Sequence, residues 1–187
     1  WGETAVLLLI LIAGGARLPF WSDMLGNNSR EILEVDVAVG EWLAQNTPAD
    51  ALIAVDDIGA IGYLSGRELF DLNGLISPEM WPIMNSGEVG LPRDAATARL
   101  LSQVQPDYLV IFPEWHWNLA INPQLLREVT QFTTETRTII GAQRVFVYEV
   151  VNWPFVADPE PVVKTAVSFG DQIDLIGYDT QLTDTLD

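Results

Sequence analysis

The sequence contains no cysteine and a single histidine, His116. A disulfide scaffold, a thiol nucleophile, a thiolate zinc site and a multi-histidine metal centre are excluded by that shortage. Cations are scarce too: 9 Lys+Arg stand against 26 Asp+Glu in 187 residues, a formal net charge of -17. Binding to nucleic acid relies on cations that track phosphates, so no nucleic-acid partner is expected, and polybasic attachment to anionic lipid is excluded for the same reason. Internal repeats and low-complexity tracts are missing as well. What is present in quantity is apolar: 49% of residues, with a mean hydropathy of +0.20. That is enough apolar surface to offset chain entropy, in a length suited to one domain with a sizeable core.

The longest apolar run goes from Thr4 to Ala16 without a charge and ends at Arg17. A full bilayer crossing takes about 20 such residues. Arg17, Phe20 and Trp21 supply the cation and aromatic pair expected at a lipid–water boundary. Residues 1–21 are therefore expected to be the C-terminal part of a transmembrane helix with its interface anchor, the helix beginning upstream of Trp1. A buried soluble helix and a signal-peptide remnant are the alternatives. Every carboxylate except Glu3 lies beyond this run, and few cations flank it, which favours the extracytoplasmic side for the residues after Trp21.

Residues 22–152 read as an α/β domain of about five strands in a mostly parallel sheet with flanking helices. Asn28 to Glu31 has the spacing of a helix start, followed by an apolar stripe at Ile32, Val35, Val39, Trp42 and Leu43. Strands are expected at Ala51–Val55, Glu68–Leu72 and Tyr108–Phe112, with a short helix from Ile58 to Leu64 between the first two, as in a parallel crossover. Asn73 to Pro92 reads as loop, Asp94 to Val104 as an amphipathic helix, and Pro123 to Val129 as a further helix. Extended runs at Thr130–Ile140 and Arg144–Val151 flank a hairpin candidate at Gly141-Ala142. Residues 153–187 read as a linker with Pro154, Pro159 and Pro161, then a short β tail that begins a truncated module.

Asp56 and Asp57 follow the first strand, where functional residues of open α/β sheets collect. Asp71, Asn73 and Glu79 follow the second strand, and such a cluster could hold a divalent ion or sugar hydroxyls. The bland alternative is a helix cap with solvated strand ends. Gly59 and Gly62 lack phosphate-loop spacing, and two acids precede them, which argues against nucleotide binding. His116 sits between Trp115 and Trp117, side chains that stack well on sugar rings, beside Glu114 as a candidate acid or base. The competing reading is an interfacial aromatic cluster. No specific enzymatic signature emerges.

Several phrases are nevertheless familiar together: Leu18 to Trp21, Val39 to Ala44 running into Pro48-Ala49-Asp50, Ile53 to Arg67, Phe70 to Glu79, and Pro106 to Phe112. They resemble the C-terminal extracytoplasmic domain of bacterial polytopic membrane glycosyltransferases of the GT-C, mannosyltransferase-like type. The tail from Phe169 to Asp179 resembles the start of a β-rich module appended in some of them. The resemblance implies a lipid-phosphate-linked sugar donor, an acceptor outside the cytoplasm and an upstream transmembrane bundle as partner. It also implies that this segment is a non-catalytic accessory or acceptor-side domain, since such enzymes carry their catalytic acid between early membrane helices. No catalytic residue can be transferred to it. The alternatives are a single-anchor structural subunit of a membrane complex and a free glycan-binding module using Trp115, Trp117 and the acids.

Overall fold

The computed structural model describes residues 2–85, 91–153, 163–169 and 173–178. The prolines expected to form a linker, Pro154, Pro159 and Pro161, lie outside the described residues, as do residues 86–90. Helices α1 (Gly2–Ile32) and α2 (Ala38–Asn46) join through a π-helical turn, Leu33–Val37, into one rod. The helix start expected at Asn28 is therefore absent. A capping residue serves N–H groups that lack partners, and here the preceding turns of α1 already supply their carbonyls. The apolar stripe falls as its period requires: Val35, Val39 and Leu43 are fully buried, with Ile32 and Trp42 packed beside them. Each such side chain contributes roughly 2 kcal/mol by leaving water. The Arg67 guanidinium closes the end of α2, donating to the carbonyls of Ala44 at 2.8 Å and Thr47 at 2.9 Å.

Thr47 to Ala51 turns the chain into β1 (Leu52–Val55), and α3 (Gly59–Ser65) crosses over to β2 (Glu68–Asp71), which pairs parallel to β1. A 3-10 turn at Pro78–Met80 runs into α4 (Trp81–Met84), and α5 (Leu91–Val104) leads to β3 (Tyr108–Ile111), parallel to β1 on its other side. After the short α6 (Trp117–Ala120), β4 (Leu126–Thr133) and β5 (Arg144–Val150) form an antiparallel hairpin. The order is β2-β1-β3-β5-β4. This sheet is mixed rather than mostly parallel. Its β3–β5 and β5–β4 pairs are antiparallel, because the connection from β4 to β5 is too short for a crossover.

Two local expectations also fail around β4. The helix expected from Pro123 to Val129 is replaced by a turn and the start of β4, since pairing with β5 from Leu126↔Val150 onward satisfies the backbone there. The strand expected to reach Ile140 stops at Thr133, and residues 134–143 form the connecting loop.

Alternate side chains of the strands feed two cores. Ile53, Val55 and Val110 meet the rod and α3 on one face, while Ala54, Leu109 and Ile111 meet Met80 and Leu101 on the other. Gly40 allows the rod to lie against α3: a Cβ there would stand 2.9 Å from the Leu64 Cβ and 3.2 Å from the Ala60 carbonyl oxygen. Because α2 runs into the amino end of β1, the rod is antiparallel to that strand. Its α1 end consequently leaves the domain at the carboxyl edge of β1, β2 and β3. The chain divides into two compact units at Pro154, and in the second β6 (Val163–Phe169) and β7 (Ile173–Tyr178) pair antiparallel.

Candidate functional site

The carboxyl edge collects most of the residues that the sequence singles out. Asp56 is buried at the end of β1 and ties two neighbouring loops to it. Its Oδ2 accepts the Phe112 N–H at 2.8 Å, and its carbonyl accepts the Asn73 side-chain amide at 2.5 Å. The His116 Nε2 lies 2.8 Å from Asp56 Oδ1. A carboxylate only accepts, so Nε2 is the nitrogen that carries the proton in this pair. Asp71 is wholly buried at the end of β2, and its carboxylate takes the N–H groups of Asn73, Leu75 and Ile76. It thereby shapes the turn 71–77, in which Gly74 adopts a φ of +74° beneath the Trp81 indole.

Asp56, Asn73 and His116 are thus brought together, with Asp71 directly behind the turn. Asp57 and Glu79 are not hydrogen-bonded to them. Asp57 accepts the Gly59 N–H at 3.1 Å at the start of α3, and Glu79 is exposed on the 3-10 turn. Trp115 and Trp117 flank buried His116 and are themselves exposed. Arg17, Phe20 and Trp21 are exposed on α1, with the Phe20 and Trp21 rings edge to face at 5.3 Å. Glu114 faces Arg144 at 3.8 Å across the surface.

Chemically the Asp–His pair supplies the base and orienting halves of a hydrolytic triad. The remaining nitrogen, His116 Nδ1, is buried, and among the described residues it has no hydrogen-bond partner and so meets no hydroxyl nucleophile. Both Asp56 oxygens are engaged by N–H groups, and among the described residues no three acidic or histidine side chains converge as a metal site would require. The pair acts as a pin that fixes the loop bearing Trp115 and Trp117.

Two buried carboxylates on the rod escape sequence reasoning. Glu31 reads as part of a helix start, yet it is wholly buried and receives the loop after β4: the N–H groups of Thr138 at 2.7 Å and Ile139 at 2.8 Å, and the Thr138 hydroxyl at 2.9 Å. Burial works to raise its pKa, and these donors outweigh it, holding the group at about 2. Asp36, on the π-helical turn, has an oxygen without a partner among the described residues, and burial followed by the nearby Asp57 charge pushes it up to about 7. The extra residue of a π turn, which rotates a polar position inward, is the one signal that a period count would have to include.

A family model for a domain of unknown function, DUF8728, matches residues 26–148. The chain belongs to that family. The matched span begins where the rod approaches the sheet and ends in β5, so it contains the whole carboxyl edge. No curated protein and no solved structure matches the chain.

On α1, an apolar window of mean hydropathy 1.8 is entirely unburied, long and apolar enough for a membrane anchor or a signal sequence. The opposite, amino edge of the sheet differs in character. A shallow recess of about 400 Å3 there is lined by Asp50, Asp107, Tyr108 and Glu149 among others. Burial, and then the Glu149 and Asp107 charges, raise the Tyr108 phenol.

Proposed function

We propose that this domain is the non-catalytic, acceptor-side part of a membrane glycosyltransferase that uses a lipid-phosphate-linked sugar donor. In this reading the part of α1 up to Trp21 belongs to a membrane-spanning helix and the domain stands on its extracytoplasmic face. The observation that carries the reading is the direction of the rod. It leaves at the carboxyl edge, so the loops bearing Trp115, Trp117 and Asn73 lie on the side from which α1 departs. A domain so held would cover the mouth of an upstream transmembrane bundle and position a glycan acceptor there. The inward-facing Asp56–His116 pair suits a supporting part rather than a reacting one.

Two measurements test this. The intact mass of the protein purified from native membranes should be several times 20.7 kDa, with polytopic helices upstream of Trp1. A mass near 20.7 kDa would leave a single-anchor structural subunit instead. In native membranes, Trp115→Ala with Trp117→Ala should raise the acceptor KM for sugar transfer without changing use of the lipid-linked donor. Transfer with unaltered acceptor KM would refute the acceptor-side role.

A further inference from the structure

Three separate loops of the carboxyl edge put large apolar side chains into solvent. Leu75, Ile76 and Trp81 follow β2, Trp115 and Trp117 follow β3, and Ile139 lies between β4 and β5. Leu75 is 77% exposed and Trp117 61%. Isolated exposed apolar residues are ordinary on a soluble surface, but a group drawn from three loops at one end marks an interaction surface.

These loops are not loose. Each is held from inside by a buried carboxylate: the turn 71–77 by Asp71, the Phe112–His116 segment by Asp56, and residues 138–140 by Glu31. The Trp81 indole is also fixed, its Nε1–H donating to the Gly74 carbonyl at 2.8 Å. Further packing holds Trp115: its ring lies 5.0 Å from the Phe112 ring, and a Cβ on Gly141 would come within 2.6 Å of it.

The occupant is indicated by the rod. Along α1, Trp21 is exposed and Met24 is the first half-buried residue, three positions or about 5 Å further along the axis. The apolar loops thus gather at the end of the domain from which the apolar part of α1 departs. Tryptophans together with aliphatic side chains suit the headgroup boundary of a bilayer. With a formal charge of -17, attraction to anionic lipid is excluded as the driving force.

We infer that two of these loops form a second membrane contact: Leu75, Ile76, Trp81 and Ile139 rest in the headgroup layer of a zwitterionic bilayer beside α1, and Trp115 and Trp117, on the loop between them, are left for the acceptor. The inference rests on the reading that α1 up to Trp21 belongs to a helix spanning that bilayer. The carboxyl edge then faces lipid and the acidic amino edge faces water.

Because the chain has no cysteine, single probes can be placed at will. The full chain is reconstituted in phosphatidylcholine vesicles containing spin-labelled lipid, with an environment-sensitive fluorophore on Leu9→Cys, Leu75→Cys, Ile139→Cys or Asp50→Cys. Probes at 75 and 139 should be quenched and blue-shifted relative to the probe at 50, equally at low and high salt. If 9 is quenched while 75 and 139 match 50, the second contact is refuted and the anchor stands. Probes at 75 and 139 that are blue-shifted but unquenched would place a protein on the loops, and also refute the lipid contact. An unquenched probe at 9 would overturn the anchor, and this inference with it.

Discussion

Replacing Glu31 by Gln tests how the rod is fastened to the sheet. In the folded chain this carboxyl titrates at about 2, against 4.5 for an unconstrained one. The folded pKa lies below the unfolded one, so the associated stability is fully present above pH 4.5 and is lost as the pH falls towards 2. At 1.36 kcal/mol per pH unit the ceiling is ~3 kcal/mol. The donors Thr138 and Ile139 sit on exposed loop residues, and solvent screening there reduces the figure to about 1–2 kcal/mol. Gln keeps the size of the side chain but turns an NH2 group towards backbone N–H donors, so part of that array loses its acceptor. The expected loss at pH 7 is about 2 kcal/mol. For a chain of this length, that lowers Tm by roughly 4–8 °C. Thermal unfolding of both proteins in the same detergent, followed by near-ultraviolet circular dichroism from pH 7 to pH 3, reads the difference. The gap in Tm should be widest at neutral pH and narrow below pH 4.5. Equal Tm values at pH 7, or a gap that persists unchanged to pH 3, would refute the role of Glu31 as a charged pin.

Asp36 should behave in the opposite sense. Its folded pKa of about 7 lies above the ordinary 3.8, so folding is increasingly disfavoured as pH rises between those values. Asp36→Asn should therefore raise stability by about 2 kcal/mol at pH 8 and far less at pH 4, measured by urea unfolding. Gly141→Ala would set a Cβ 2.6 Å from Trp115 and 2.8 Å from Phe112, and should cost about 1–3 kcal/mol while shifting tryptophan emission. Asp56→Asn exchanges one of two accepting oxygens for an NH2 group facing either Phe112 N–H or His116. A loss of about 2–3 kcal/mol is expected, with faster proteolysis near Trp115 and Trp117. Trp117→Ala should leave the Tm in detergent almost unchanged, because that side chain is already in solvent.

The regular elements were legible where one local signal sufficed. Short apolar runs bounded by turn residues located β1 and β3, and the Val35–Val39–Leu43 spacing marked the buried face of the rod. What failed depended on partners distant in the chain. β4 extends over residues that look helical because β5 offers it a complete hydrogen-bonding edge. Asn28 and Glu31 look like a helix start, yet their side chains meet Thr138, more than a hundred positions away. At the carboxyl edge the sequence indicated Asp56, Asp57, Asp71, Asn73 and Glu79 as one group, and His116 with Trp115 and Trp117 as another. It could not tell that the polar atoms of Asp56, Asp71, Asn73 and His116 turn inward, since that depends on which N–H groups the neighbouring loops leave for them.

That inward orientation and the exposed apolar loops are two sides of one physical requirement. A loop whose large apolar side chains face outward gains little from burying them, so in water it must be held by something else. Asp71, Asp56 and Glu31 each supply it by accepting backbone N–H groups from one loop of the carboxyl edge. Hydrogen bonds to an ionised acceptor stabilise more than neutral ones, and those to Asp56 are also sheltered from competing water. Asp71, Asp56 and Glu31 are thereby committed to the backbone, while Asp57, Glu79 and Glu114 stay outside these arrays. The arrangement gives a stiff surface that is ready before any partner arrives. Removing a carboxylate should therefore loosen one loop, whereas trimming an exposed tryptophan should leave the fold intact and weaken only what the edge touches.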